Sequence, residues 1–447
     1  MSKNIIRIVS ILLILILLLI LVRYKNTSKQ TYVEGRYNHN EEVTIILPDY
    51  DKWYYLSTYR VLAMMSERFS YKTGIPIKMV KISTDDYIRK RNDELYTNNG
   101  PTLIFFPMWG ESYKDLASKG VGLDIKDRIP NYSKIYDSLK DEENCYVPVG
   151  MVYKPLVLNK LVLNDLGIKE PSFDWNYADY KEIRRSWLDK EPRYFTRDEF
   201  FEIINNPIRT LNILDSENKR VSFNNEKVKK YMLDVKNEIF SGKYKLNVEY
   251  TYSNYVNLIK NPRSKESYDI GKLIDFGYKS ELLSQYSGNP LNTSGSVGSS
   301  HQIILPEVRS TSCFSSWGFM VNKRGKNVDN GLKFINEILS DEVQFEIFLT
   351  DHKVYPVNKN ITKQIEEYEI SRNVNKRAID LKNYLLKQIE NGEAASTSEL
   401  DEIYQYIEGK FENILFDYIF KDESLTDEEL EEKLQKIEDE LNLWLSE

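Results

Sequence analysis

Cys145-Tyr-Val-Pro-Val-Gly-Met-Val-Tyr-Lys-Pro-Leu-Val-Leu-Asn-Lys160, continued by Asp165-Leu-Gly-Ile-Lys-Glu-Pro171 and Trp175, decides how this chain is built. Tyr146 to Val152 is short, apolar and rich in Val, which predicts a strand. Pro148 has no N–H to give to a ladder, so it is expected at a strand end and not deep in a central strand. That suits a strand leaving one body for another. Leu156-Val-Leu158 begins a second short strand, and Asn159 with Leu161 and Leu163 opens a helix that Gly167 stops, with Pro171 just beyond.

The chain before this crossing alternates. Val43-Thr-Ile-Ile-Leu-Pro48 predicts a buried first strand, and Tyr55, Tyr59, Leu62 and Phe69 follow at helical spacing. Gly74-Ile-Pro-Ile-Lys-Met-Val80 predicts a second strand and Asp85 to Leu95 a polar helix. Pro101-Thr-Leu-Ile-Phe-Phe-Pro107 predicts a third strand, apolar enough to be covered on both faces. Strand, helix, strand, helix, strand is the α/β pattern.

Beyond the crossing, Asn176 to about Asn261 predicts charged helices, with a capping box at Thr196 and Glu199. Ser287 to Ser300 is rich in Ser, Gly and Asn and predicts a loop. Ile303-Ile-Leu-Pro306 and Ser316-Trp-Gly-Phe-Met-Val-Asn-Lys323 predict strands, followed by helices over 331–339 and 340–348. Thr426 and Glu429 cap a last helix whose Leu430, Leu434, Ile437, Leu441 and Leu445 share one face.

At 447 residues the chain is too long for one ordinary core and implies two lobes. Hydrophobic residues at 41% and charged residues at 29% are globular values, and a net charge of −7 with both signs interspersed leaves no nucleic-acid footprint. Two cysteines, Cys145 and Cys313, make neither a disulfide framework nor a Cys-x-x-Cys pair. Three histidines, His39, His301 and His352, are too scattered for a metal site. No Gly-x-Ser-x-Gly elbow, His-Glu-x-x-His or phosphate-binding Gly-x4-Gly-Lys-Ser/Thr is present, so neither an enzyme nor a cofactor is expected. The 32 tyrosines read either as a Tyr-rich surface and core or, for some of them, as the lining of a polyol or sugar site, because a Tyr ring is apolar and its hydroxyl wet.

Ile8 to Val22 is apolar except for Ser10. Counted from Ile5 it has 18 residues, about 27 Å of helix against a hydrocarbon core of about 30 Å. Neither a small-x-small cleavage site nor a lipobox Cys follows it. The expectation is an uncleaved transmembrane anchor over residues 1–25 and a polar linker over 26–42. Basic residues flank the span on both sides, so charge leaves its orientation open.

The order Pro148, Asn159-Lys160, Gly167-Ile168, Pro171 and Trp175 resembles the first hinge crossing of the extracellular solute-binding proteins of ABC importers, the class that includes maltose-binding protein. Leu158 stands where the family commonly has Tyr. Other landmarks are similar: Gly100-Pro-Thr-Leu-Ile104, with Thr102 for the frequent Asp; Leu116 to Gly122 leading into Leu123-Asp124-Ile125; Asp269 to Asp275; Leu305-Pro306 followed by Trp317-Gly318; and Val354-Tyr-Pro-Val-Asn358. The resemblance runs from Val43 to Leu445.

It implies an α/β, two-lobe, type II periplasmic-binding-protein-like clamshell behind an N-terminal transmembrane helix. The first lobe would take residues 43–148 and 309–356, the second 149–308 and 357–447, with crossings near 146–151, 303–312 and 354–358. It implies a monomer on the extracellular side of a cell membrane that captures a solute, most naturally a sugar or oligosaccharide, by hinge closure and delivers it to ABC permease subunits. The alternative is a membrane-tethered sensor presenting ligand to a receptor kinase. Val152 stands where the maltose binder has an acidic residue, which speaks against maltose-like specificity. Both cysteines fall beside crossings that the family brings together, which implies a Cys145–Cys313 disulfide.

Residues just past strand ends in α/β lobes face the cleft. That nominates Asp49, Tyr50 and Trp53 after the first strand and Trp109 after the third; Tyr153 and Trp317 join them beside the crossings, with core packing as the competing reading of each ring. Trp175 is expected to pack in a core.

Overall fold

The computed structural model describes residues 39–49, 56–84, 86–95, 97, 99–107, 113–141, 143–153, 155–190, 193–194, 211, 213–215, 220–245, 282–283, 289–293, 301–306, 312–351, 353–396, 401–420 and 425–446. Its first sheet begins with β1 (Val43–Asp49), whose alternate side chains enter two different layers. Val43, Ile45 and Leu47 face one core and Ile46 the other, so the strand is buried on both sides as its near-continuous apolar run requires. The helix α1 (Leu56–Thr73) returns the chain to β2 (Ile77–Ser83), which pairs parallel with β1 from Val43↔Ile77 to Asp49↔Ser83. This second strand ends three residues later than its sequence suggests. After α2 (Tyr87–Leu95), β3 (Leu103–Phe106) joins the other edge of β1, again parallel.

The sheet is completed by chain from far along the sequence. β4 (Tyr146–Tyr153) runs out to β5 (Leu156–Asn159) and α3 (Lys160–Leu166), which is capped as expected. Asn159 Oδ1 accepts from the Leu161 N–H, and Gly167 closes the helix at φ 68°, a left-handed value that glycine takes without Cβ strain. Much later β6 (Gln302–Leu305) pairs antiparallel with β5, and β7 (Ser312–Val321) inserts between β4 and β3, antiparallel to both. With the two-residue β8 (Tyr355–Pro356) and with β9 (Ala394–Ser396), this makes a seven-stranded sheet ordered β8-β4-β7-β3-β1-β2, β9 pairing parallel with the first residues of β7.

Pro148 lies inside this sheet, contrary to the expectation of a strand end. Two features admit it. The register of β4 against β7 slips between Trp317 and Gly318, a bulge at the proline, and β8 reaches only Met151 and Gly150 on the other edge, so Pro148 owes that neighbour no hydrogen bond. The backbones approach so closely that a Cβ on Gly318 would sit 2.1 Å from the Val147 carbonyl oxygen.

One layer of the first core is supplied by α1 together with α6 (Val328–Ile338), α7 (Asp341–Thr350), α8 (Thr362–Ser371) and α9 (Lys376–Glu390). Ile361, Ile365, Leu381, Leu385 and Ile389 all bury there. Residues 357–396, expected in the second lobe, therefore belong to the first. The third passage is correspondingly not at 354–358, where Tyr355 and Pro356 form an edge strand of the same sheet, but after β9. The second core gathers β5, α3, α4 (Tyr177–Lys190), α5 (Glu226–Ile239), β6, α10 (Asp401–Phe420) and α11 (Asp427–Ser446). Trp175 packs in it as expected, its indole N–H donating to the Pro306 carbonyl at 2.8 Å. The predicted box at Thr426 is formed: the Thr426 N–H donates to Glu429 Oε2 and the Glu429 N–H to Thr426 Oγ1.

Outside the described residues lie the anchor with most of its linker, the box at Thr196 and the stretch from Asp269 to Asp275. Among the described residues no helix is long and apolar enough to cross a membrane. The implied disulfide does not form. Cys145 is a buried free thiol, next to Tyr146, which pairs with Met320; Cys313 lies beyond Phe314, which pairs with Tyr153. Seven strand residues separate the two ends of that ladder, about 23 Å at 3.3 Å per residue, against a Cα limit near 7 Å.

Candidate functional site

The parallel strands β1, β2 and β3 end on one edge of the first-lobe sheet, the edge at which antiparallel β7 begins and β4 ends. Loops that leave such an edge form the ligand crevice of α/β folds. Asp49 sits there, exposed at the last position of β1. Its carboxylate lies 3.6 Å from Lys81 Nζ on β2, and that ammonium stands 4.9 Å above the ring of Tyr59. The Tyr59 hydroxyl donates to the Pro48 carbonyl, which fixes the ring beside the end of β1. A carboxylate, an ammonium and an aromatic face thus share one half-open corner. Tyr50, Trp53 and Trp109 lie outside the described residues, in the two stretches of chain that leave β1 and β3.

The two remaining nominees are placed differently. Tyr153 and Trp317, expected on the cleft wall, are 1% and 0% exposed. β7 is a central strand covered on both faces, so the Trp317 ring is enclosed between Phe105, 5.7 Å away, and Phe319, 6.4 Å away. Its indole N–H reaches the space over Gly150, where a Cβ would lie 2.7 Å from it, and among the described residues it has no hydrogen-bond partner. Tyr153 gives its backbone N–H to Asn289 Oδ1 at 3.2 Å.

Sequence reasoning missed Lys81, Tyr59, Ser316 and Tyr113. Ser316, half-buried on β7, shares a 3.3 Å hydrogen bond with the Tyr146 hydroxyl, and the Tyr146 ring is stacked on Tyr113 at 4.2 Å with planes 2° apart. Burial first, and the nearby Asp141 carboxylate second, push the Tyr113 phenol far above its ordinary value. Tyr146 is likewise raised by burial, partly opposed by its bond to Ser316. Both stay neutral donors at physiological pH. The Cys145 thiol is raised by burial and by Asp141, to whose Oδ2 it donates at 3.3 Å, which favours its protonated form. The available signal for Lys81 was the polar alternation Lys81-Ile-Ser83, which marks the true end of β2.

A third set of residues joins the lobes away from this corner. Glu170, just past α3, accepts from Lys160 at 2.8 Å and meets Arg377 of α9 at 3.6 Å. Arg377 also donates to the Pro171 carbonyl and lies 4.9 Å over the Phe173 ring, which packs against both cores. The Lys160 hydrogen bond, opposed by some desolvation and helped by Arg377, holds the Glu170 carboxyl below the usual carboxylate range.

No protein-family model and no curated sequence matches the chain. Its fold does match solved structures. An ABC substrate-binding protein from Listeria monocytogenes in complex with cycloalternan is 15% identical, with a TM-score of 0.52 over 91% of this chain and 99% of that one. A cyclic α-maltosyl-1,6-maltose binding protein from Arthrobacter globiformis gives 14% and 0.55 over 90% and 98%. The bacterial solute receptor AcbH, described as exclusive for β-D-galactopyranose, gives 14% and 0.59 over 90% and 98%. The chain therefore has the two-lobed α/β fold of these receptors, along nearly their whole length.

Proposed function

We propose that the chain is the solute-capturing subunit of an ABC importer, that its ligand is a sugar or oligosaccharide, and that it binds without transforming it. The observation that carries this is the pair of separate cores joined by crossings, an arrangement shared with three sugar receptors over nine-tenths of the chain. Two bodies on a hinge can both touch a ligand only when closed, so binding free energy selects the closed state, and a permease can read that state.

Ligand is held, in this reading, at the corner made by Asp49, Lys81 and Tyr59, with Tyr50, Trp53 and Trp109 supplying rings from the chain after β1 and β3. Sugars match such a mixture, since their C–H faces suit aromatic rings and their hydroxyls suit charged rims. Tyr153 and Trp317 support the wall from behind. An uncleaved helix over residues 1–25 holds a monomeric body on the outer side of the membrane, where the permease is its partner.

A thermal-shift panel of mono- and oligosaccharides, amino acids and polyamines on the full chain tests the assignment. A true ligand at 100 times its Kd stabilises by about 2.7 kcal/mol. Stabilisation by a sugar, lost in Trp53→Ala and Trp109→Ala, is the expected result. Tight binding of a non-sugar that both variants retain overturns the ligand class and the site together.

A further inference from the structure

The chain crosses between the two cores more often than a hinge requires. Leu282 is buried in the second core, and its carbonyl accepts from the Asn159 N–H at 2.8 Å. Only a few residues on, Leu291 is buried in the first core. By His301 the chain is back in the second lobe, its carbonyl bonded to the Lys160 N–H and β6 paired with β5. Between these points Asn289-Pro-Leu-Asn-Thr293 enters the first lobe, with Asn289 and Asn292 wholly buried.

Its side-chain bonds are specific. Asn289 donates to the carbonyls of Met151 at 3.1 Å and Lys353 at 3.3 Å and accepts from Tyr153, so it knits the end of β4 to the turn before β8. Asn292 donates to the carbonyls of Phe348, Asp351 and Val354 at 3.1, 3.0 and 2.7 Å. Helix ends leave carbonyls without intrahelical partners, and here a distant amide satisfies those at the end of α7. Thr293 donates to Glu369, whose other oxygen takes the fully buried ammonium of Lys382. Asn289 accepts from Tyr153 and donates to two carbonyls, which takes an acceptor oxygen and two N–H bonds on one side chain; an amide has both and a hydroxyl, with a single O–H, does not.

We propose that Asn289–Thr293 is a tongue through which the second lobe grips the first beside the β4 crossing, a restraint on hinge rotation in addition to the three passages that connect the lobes. Five residues link Leu283 to Asn289 and seven link Thr293 to His301, spans of six and eight residue steps that reach at most about 20 and 28 Å when fully extended. Rotation that separates the lobes beyond this reach must draw the tongue out and leave its carbonyl partners unpaired. This reading concerns the hinge and holds whatever the ligand is.

The test is the distribution of lobe-to-lobe distances in the full chain without ligand. Spin labels are placed at Lys78→Cys in the first lobe and Lys227→Cys in the second, on a background in which Cys145 and Cys313 are replaced by Ser; both label sites are exposed. Releasing the tongue with Asn289→Ala plus Asn292→Ala should at least double the width of the distance distribution while unfolding stays cooperative. Asn289→Asp, which keeps the acceptor and loses both donations, should broaden it by an intermediate amount and serves as the deciding variant if the double replacement does not fold. An unchanged width in a variant whose 289–293 amides exchange freely with solvent overturns the proposal.

Discussion

At Trp317 the ring and its nitrogen have opposite preferences. The ring fills the space between Phe105 and Phe319, while the N–H is buried with no partner among the described residues. Removing the whole side chain should cost about 3–5 kcal/mol through the cavity left behind. Trp317→Phe keeps most of the volume and deletes the unpaired donor, so its effect in chemical denaturation should stay within about 1.5 kcal/mol, and ligand affinity should be retained. A second residue-scale test concerns Glu369 and Lys382, both fully enclosed. Replacing one partner strands a buried charge, so Lys382→Met should cost about 3–5 kcal/mol. The double replacement Glu369→Leu plus Lys382→Met should cost less than either single change, and a double-mutant cycle reads the difference. Asp49 was legible in the sequence because a polar residue that closes an apolar strand sits where the chain leaves the sheet for solvent. Trp317 was not, because whether a ring on a strand faces a cleft or a layer of helices depends on chain that packs over it from elsewhere.

Elements were legible where their signals are local. The cap at Asn159, the stop at Gly167 and the box at Thr426 are each set by residues a turn apart, and all three formed. Thr426→Ala should lower stability by about 1 kcal/mol in denaturant unfolding, with Glu429→Ala giving part of the same loss. Signals failed where an element takes its place from remote partners. Val354 to Asn358 reads the same whether it leaves the sheet or borders it, and only its pairing with β4 shows the latter. The polar Asn289 to Thr293 stretch reads as a surface turn because burial of its amides depends on carbonyls of α7 and β4 that sequence spacing does not reveal. Pro148 misled for the converse reason: a rule about ladders was overridden by a bulge and a short neighbour.

Across the molecule, buried phenols tie stability to alkaline pH. Burial pushes Tyr136 up to about 12, raises Tyr113, Tyr132 and Tyr146 further, and holds Tyr355 well above its ordinary value. These groups are neutral in the folded chain but ionise near 10 when unfolded, so their contribution is complete below that value and is lost as pH rises through the folded values. Absorbance of tyrosinate and circular dichroism recorded together should show the buried phenols ionising only as the fold is lost. The contact at Glu170 runs the other way. Its carboxyl is held low, so the stability it adds is present above the ordinary carboxylate range and disappears as pH falls through the folded value; Glu170→Gln should abolish that part of the acid response. The position of β7 has a consequence in time. β3 and β4 flank it in space, yet it is made 168 residues after β4 ends, from Tyr153 to Val321. At ribosomal rates of about 5–20 residues per second, β4 waits roughly 8–34 s for the neighbour that closes it, and β3, made earlier, waits longer. During that interval their unpaired edges are templates for the wrong strand, so a newborn chain should depend on a holding chaperone until its last third has emerged.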